Sequence, residues 1–333
     1  METRDVPASL WQRRGQLPSL PLPGAVAAAL LLCLIAALAS QCSIFGLIPA
    51  VLGGAILAAL FLLHRSVFAV IVPFCAAGAV LFFARSAVSA AAALFLIPLG
   101  GAAAAAVYRG MSRLASSVLC AISAGLWIAL PAGIFLLLKE TTPLQAVRSL
   151  KSELREVLGA MSLPMPGGSE LSVFSPEAAD ALLEALTPLM PGLCGVVLFL
   201  LGVAVTSFLR LILVTLEARA DFLPDMWYLG ANRGSAAVYC GAQLLFLLAI
   251  TTPDAEPLYY AAYNTALLFM MPLSLAGFGA LWRLLRTLRP VGAATKAAFA
   301  CLILMLLLAG LYWTFTAAAF YGVWLAFRSP KPE

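Results

Sequence analysis

The stretch PLMPGLCGVVLFLLGVAVTSFLRLIL, residues 188–213, decides the fold. Between Met190 and Leu209 it runs 20 residues without a charge, about 30 Å of α-helix and so the thickness of a bilayer's hydrocarbon core. A surface helix of a soluble domain keeps a polar face, whereas here only Thr206 and Ser207 interrupt the apolar sequence. In lipid a helix satisfies its own backbone polar groups, which is why such a run reads as a membrane span.

The same pattern recurs on both sides. The 333-residue chain is 63% hydrophobic and 11% charged, with a mean hydropathy of +1.02, well beyond a water-soluble composition. Apolar runs at 24–40, 44–63, 67–84, 87–108, 114–138, 190–215, 235–252, 258–282 and 295–327 predict an all-α, polytopic transmembrane bundle of about nine spans, with eight to ten allowed. The first two runs are separated only by Gln41, Cys42 and Ser43, and a hairpin suits the bilayer better than one helix of twice its thickness. The polar stretch before the first run is long for a signal peptide, and a second span follows directly, so that run is read as a span. The last run is too long for one upright crossing, and Gly310 is its expected break.

Orientation follows from Lys and Arg. With the N-terminus cytoplasmic, Arg4, Arg13, Arg14, Arg65, Arg109, Arg113, Arg210, Arg219, Arg233, Arg283, Arg286, Arg289 and Lys296 fall inside. Arg85, Lys139, Arg148, Lys151, Arg155, Arg328 and Lys331 fall outside, four of them in one long loop where the rule is weak. The expected organisation is a flexible cytoplasmic tail at 1–23, a first membrane half at 24–138, an extracytoplasmic loop at 139–189, a second half at 190–327 and a tail at 328–333. Within the loop, Thr142-Pro143 and Ser175-Pro176-Glu177 each signal the start of a short amphipathic helix. Pro164, Pro166, Gly167 and Gly168 mark the break between them.

Charge inside a membrane marks a pathway, and the spans hold almost none. The sole histidine, His64, sits at a helix end beside Arg65. What remains is polar and aromatic. Leu258-Tyr259-Tyr260-Ala261-Ala262-Tyr263-Asn264 opens the eighth span from outside, with Gln243 at a comparable depth in the seventh. Trp127 and Pro131 in the fifth span, and Thr206 with Ser207 in the sixth, are candidates to join them. Trp127, Gln243, Tyr259, Tyr260, Tyr263 and Asn264 therefore form the candidate ligand site, although interhelical hydrogen bonds and an interfacial aromatic belt explain the same residues singly. Ala25 and Ala29 make a small-x-x-x-small pair suited to a partner helix.

Nothing points to catalysis. There is no phosphate-binding loop and no H-E-x-x-H, and one histidine furnishes neither a metal cluster nor a serine triad. We expect no enzyme, no cofactor and no metal. Cys33, Cys42, Cys75, Cys120, Cys194, Cys240 and Cys301 show no close pairing and read as packing residues. The net charge of +5 suits loops facing anionic lipid, with no role for nucleic acid.

Four stretches carry a resemblance: LAALFLLHRSVFAVIV at 57–72, the 188–213 segment, YYAAYNTALLFMMPLSLAGFGALWRLLR at 259–286, and the ending YGVWLAFR at 321–328. In these the chain resembles the YybS-like family, a domain of unknown function in bacterial multi-pass membrane proteins. Asn264 falls where that family tends to carry Asn, while Ser207 stands where an Asn is often found. The family is similar to the substrate-binding membrane subunits of energy-coupling-factor transporters. The resemblance implies residence in the bacterial cytoplasmic membrane, a solute bound from the outer side, separate coupling and ATPase subunits, and Ala25/Ala29 as a contact toward them. The expected function is solute binding or transport; the alternative is a non-catalytic scaffold that organises partner proteins.

Overall fold

A computed structural model describes residues 20–41, 47–63, 65–84, 93–138, 162–164, 170–172, 176–215, 232–252, 255–287 and 310–328. They form ten α-helices: α1 (Leu22–Gln41), α2 (Leu47–Leu62), α3 (Ser66–Ala84), α4 (Leu96–Tyr108), α5 (Arg113–Leu138), α6 (Pro176–Leu186), α7 (Met190–Thr215), α8 (Arg233–Thr251), α9 (Glu256–Thr287) and α10 (Leu311–Arg328). Four segments, Arg113–Leu130, Asp180–Thr215, Arg233–Thr251 and Glu256–Leu281, are long and apolar enough to cross a membrane. The outer faces of long and short helices alike are oily: Phe82, Leu30, Leu244 and Trp313 are each about two-thirds exposed or more. Side chains of that kind need lipid as their solvent.

Local signals account for the helix ends. Pro49 lies in the first turn of α2, where its missing N–H costs nothing, and the Asn232 side chain accepts from the Gly234 amide to cap α8. Gly110, at φ 63°, turns the chain between α4 and α5. The expected start of α6 at Ser175-Pro176-Glu177 matches the helix found, whereas the proposed helix after Thr142 lies outside the described residues. Between them is a departure from the all-α expectation. Ser162–Pro164 (β1) pairs antiparallel with Glu170–Ser172 (β2), Leu163 opposite Leu171. The Pro- and Gly-rich break predicted there separates two short strands.

Two cores result. The larger joins α1, α2, α4, α5 and α7 around Leu57, Leu99, Cys120, Val205 and Leu209. The smaller joins α8, α9 and α10 around Tyr239, Met270, Leu273 and Ala319. In the first, glycine sets the approach: a Cβ on Gly100 would reach 2.8 Å from the Gly54 carbonyl oxygen, so α2 and α4 meet nearly backbone to backbone. Arg113 is nearly buried and donates to Ser207 Oγ, tying the start of α5 to the lower half of α7.

The contacts fix directions. Gly54 against Leu99 and Gly100 against Leu57 make α2 and α4 parallel. Gly125 against Leu198 and Gly202 against Ser117 make α5 and α7 antiparallel, while Gly192 against Asn264 and Gly195 against Leu268 make α7 and α9 parallel. Helix α8 opposes α9, with Phe246 on Tyr259 and Tyr263. It also opposes α10, with Arg233 donating to the Ala326 carbonyl at one end and Gln243 sharing a cavity with Tyr312 toward the other. Helices α9 and α10 are therefore parallel, so Thr287 and Leu311 lie at opposite ends of the bundle.

One consequence is a correction to the expected ends. Arg328 closes α10 beside the start of α8, so it lies with Arg233 and Arg283 rather than across the membrane from them. A second is a polarised molecule. Every basic residue among those described, Arg65, Arg109, Arg113, Arg210, Arg233, Arg283, Arg286 and Arg328, lies at or near one end. Glu177, Asp180 and Glu184 on α6, which leads into α7, and Glu256 at the start of α9 mark the other. The ninth predicted span also divides: Gly310, at φ 120°, cannot continue a helix, and α10 starts after it.

Candidate functional site

Gln243, Tyr259, Tyr260 and Tyr263 gather at the carboxylate end, on α8 and α9 beside α10. Tyr259 and Tyr263 stack one turn apart on α9, with ring centroids 6.3 Å apart and planes within 14°. Tyr263 in turn lies parallel to Tyr312 of α10 at 6.4 Å, and Phe246 of α8 packs on both α9 tyrosines at 5.0 and 5.5 Å. Tyr260 meets Tyr259 edge to face at 5.2 Å. These spacings are ordinary for interacting aromatic rings.

Gln243, Phe246, Tyr263, Ala266, Leu267, Met270 and Tyr312 line a cavity of about 10 Å³, room for one water. Two of the expected residues, Gln243 and Tyr263, are thus brought together by neighbouring helices. The lining holds no ionisable carboxylate or amine, so its polar groups are phenols and one carboxamide.

Asn264 belongs elsewhere. One residue on from Tyr263, it is turned about 100° round α9 and faces α7. Its Oδ1 accepts from the Gly192 amide at 2.9 Å, and its Nδ2 donates to the Pro188 and Tyr260 carbonyls at 2.7 and 2.9 Å. Pro188 and Gly192 are the i, i+4 pair that an unbroken helix would join directly. Here a short 3-10 turn, Thr187–Leu189, precedes α7, and the Asn264 carboxamide links the two groups like an inserted peptide unit. Both its donors and one of its two acceptor positions are committed to backbone, which corrects its expected place in the ligand layer.

The other expectations separate in the same way. Trp127 lies on α5, away from the cavity lining, because α5 packs on α4 and α7. Thr206 bonds back to the Gly202 carbonyl at 2.9 Å, and Ser207 accepts from Arg113. Both sit about 21 Å along α7 from the Gly192–Asn264 contact, by helical rise, and so cannot share its layer. The Pro131 side chain lies outside the described residues. Ala25 is fully buried inside the chain, whereas Ala29 packs half-buried on the larger core and stays partly exposed.

Sequence reading passed over Tyr239, Phe246, Met270 and Tyr312. Tyr239 was detectable, lying one turn before Gln243 on the same helix face. Tyr312 was not, since its arrival depends on the direction of α10. Among the described residues no group of His, Cys, Asp and Glu is placed to hold a metal. No family model, curated protein or solved structure matches the chain.

Proposed function

We propose that this chain is an integral protein of the bacterial cytoplasmic membrane with a solute-binding or transport-associated role, its Arg-rich end cytoplasmic and its site near the outer face. The proposal rests on one observation: α8, α9 and α10 converge Gln243, Tyr263 and Tyr312 on one cavity at the carboxylate end. The one-sided distribution of arginine supports the orientation. Arg328 at the Arg-rich end supports a cytoplasmic C-terminus alongside a cytoplasmic N-terminus. Coupling and ATPase subunits would be separate chains, since no phosphate-binding loop is present here.

Sites for metabolites typically span about 300–1,000 Å³. A solute therefore enters only if Tyr312, partly exposed on the first turn of α10, moves aside. Thermal unfolding of the detergent-purified chain with a panel of uncharged metabolites tests this. Stabilisation by one of them, abolished in Tyr263→Ala, is the expected result. No shift with any compound, and no effect of Tyr263→Ala on one, counts against the role.

The closeness of the packing favours a second reading, a scaffold organising partner proteins. A Cβ on Gly277 would collide with the Ala318 carbonyl and one on Gly322 with that of Leu273, so α9 and α10 leave no room between them at that crossing. In-membrane crosslinking separates the two: recovery of ATPase subunits supports transport, and recovery of envelope proteins without a ligand effect supports the scaffold.

A further inference from the structure

The small core holds a polar group that its surroundings leave unsatisfied. Tyr239 is fully buried, its ring edge-on to Phe320 at 5.8 Å, and among the described residues its hydroxyl closes no hydrogen bond of good geometry. Gln243, one turn further on, is near enough for a side-chain hydrogen-bond interaction with that hydroxyl but out of good bonding geometry, and Tyr312 acts on it electrostatically. In a bilayer no bulk water reaches such a group, so leaving it unpaired is costly. Gln243 also borders the cavity, where the Tyr263 hydroxyl approaches that of Tyr312.

A carboxamide has two donor and two acceptor positions, more than one phenol can use. The cavity beside it holds one water-sized body, and a buried water needs two to four polar partners, which Gln243, Tyr263 and Tyr312 supply. The lining carries no formal charge, so an ionic guest would be desolvated without compensation.

We infer that Gln243, Tyr263 and Tyr312 bind a neutral hydrogen-bonding guest: a water in the closed bundle, exchanged for the hydroxyl or carboxamide of an uncharged solute. The guest holds one end of the Gln243 carboxamide, and the other end takes up the Tyr239 hydroxyl. The solute half of this inference rests on the function proposed above; the water half does not.

Unfolding equilibria of the full chain in mixed micelles test the water half. With the guest in place the Tyr239 hydroxyl is paired, so Tyr239→Phe lowers the folding constant, by about tenfold. In a Gln243→Leu background the hydroxyl is orphaned, and Tyr239→Phe raises the constant instead. A rise of equal size in both backgrounds overturns the water half. Benzamide and benzoate, matched in shape and differing in charge, test the solute half by thermal shift. Stabilisation by benzamide alone, lost in Gln243→Leu, is expected; equal effects of the two, or none, overturn the solute half while the reversal of sign at Tyr239 still decides the other.

Discussion

Replacing Asn264 with alanine separates a structural staple from a ligand contact. The side chain makes three hydrogen bonds, to the Gly192 amide and to the Pro188 and Tyr260 carbonyls. At roughly 0.5–1.5 kcal/mol net for each, their loss costs about 2–4 kcal/mol, and the Gly192 amide then becomes one of the unpaired N–H groups that every helix start must satisfy. Reversible unfolding in mixed micelles of sodium dodecyl sulfate and dodecyl maltoside, followed by far-ultraviolet circular dichroism, reads that loss directly. Asn264→Asp keeps the acceptor but turns a carboxylate oxygen toward two carbonyls, so its loss should be larger. Gly192→Ala provides the internal control, because its Cβ would stand 2.6 Å from Asn264 Oδ1 and push the carboxamide away. Adding Asn264→Ala to that variant should then cost far less than it does alone. Full stability of Asn264→Ala, together with lost ligand stabilisation, would refute the staple and return Asn264 to the binding layer.

At the α9–α10 crossing, Gly277→Ala and Gly322→Ala each force a Cβ against an opposing carbonyl and should destabilise by about 1–3 kcal/mol, measured in the same micelles. Ser274→Ala there removes the hydroxyl that donates to the Met270 and Phe315 carbonyls at 2.7 and 2.6 Å, for a loss of about 1 kcal/mol. Ser207→Ala takes an acceptor from nearly buried Arg113 and should cost about 1.5–3 kcal/mol, the range for bonds to charged groups; an unchanged midpoint would show that Arg113 does not depend on it. For topology, a green fluorescent protein fused after residue 333 should fluoresce and an alkaline phosphatase there should be inactive, while a cysteine at Glu256 reacts with an impermeant maleimide added outside the cell. The reverse pattern overturns the proposed orientation.

Much of this architecture was readable from hydrophobic run lengths. The runs beginning at 24, 114, 190, 235 and 258 coincide with α1, α5, α7, α8 and α9 to within two residues at their starts, because a charge or a proline bounds each of them or lies close by. The expected 87–108 span is represented by Leu96–Tyr108, whose small residues pack on α2, and 85–92 lie outside the described residues. Period and length cannot report which way a neighbour runs. Hence Arg328 was expected at the wrong end, and Tyr312 was not associated with Tyr263. Asn264 shows a second limit: depth along a helix is legible, but the 100° between consecutive side chains decides whether a residue meets α7 or the cavity. Arg113 shows a third, since a cation at a helix end looks solvated until a serine on another helix is found beside it.

The separation of arginines from carboxylates bears on how the chain enters the membrane. In the proposed orientation no described arginine has to pass through the lipid, whereas Glu177, Asp180, Glu184 and Glu256 are all carried across. A cell interior held negative pushes each of these anions outward, a gain of about 2.3 kcal/mol per charge for every 100 mV. The resting voltage thus helps to thread the protein, and a de-energised cell should insert it more slowly.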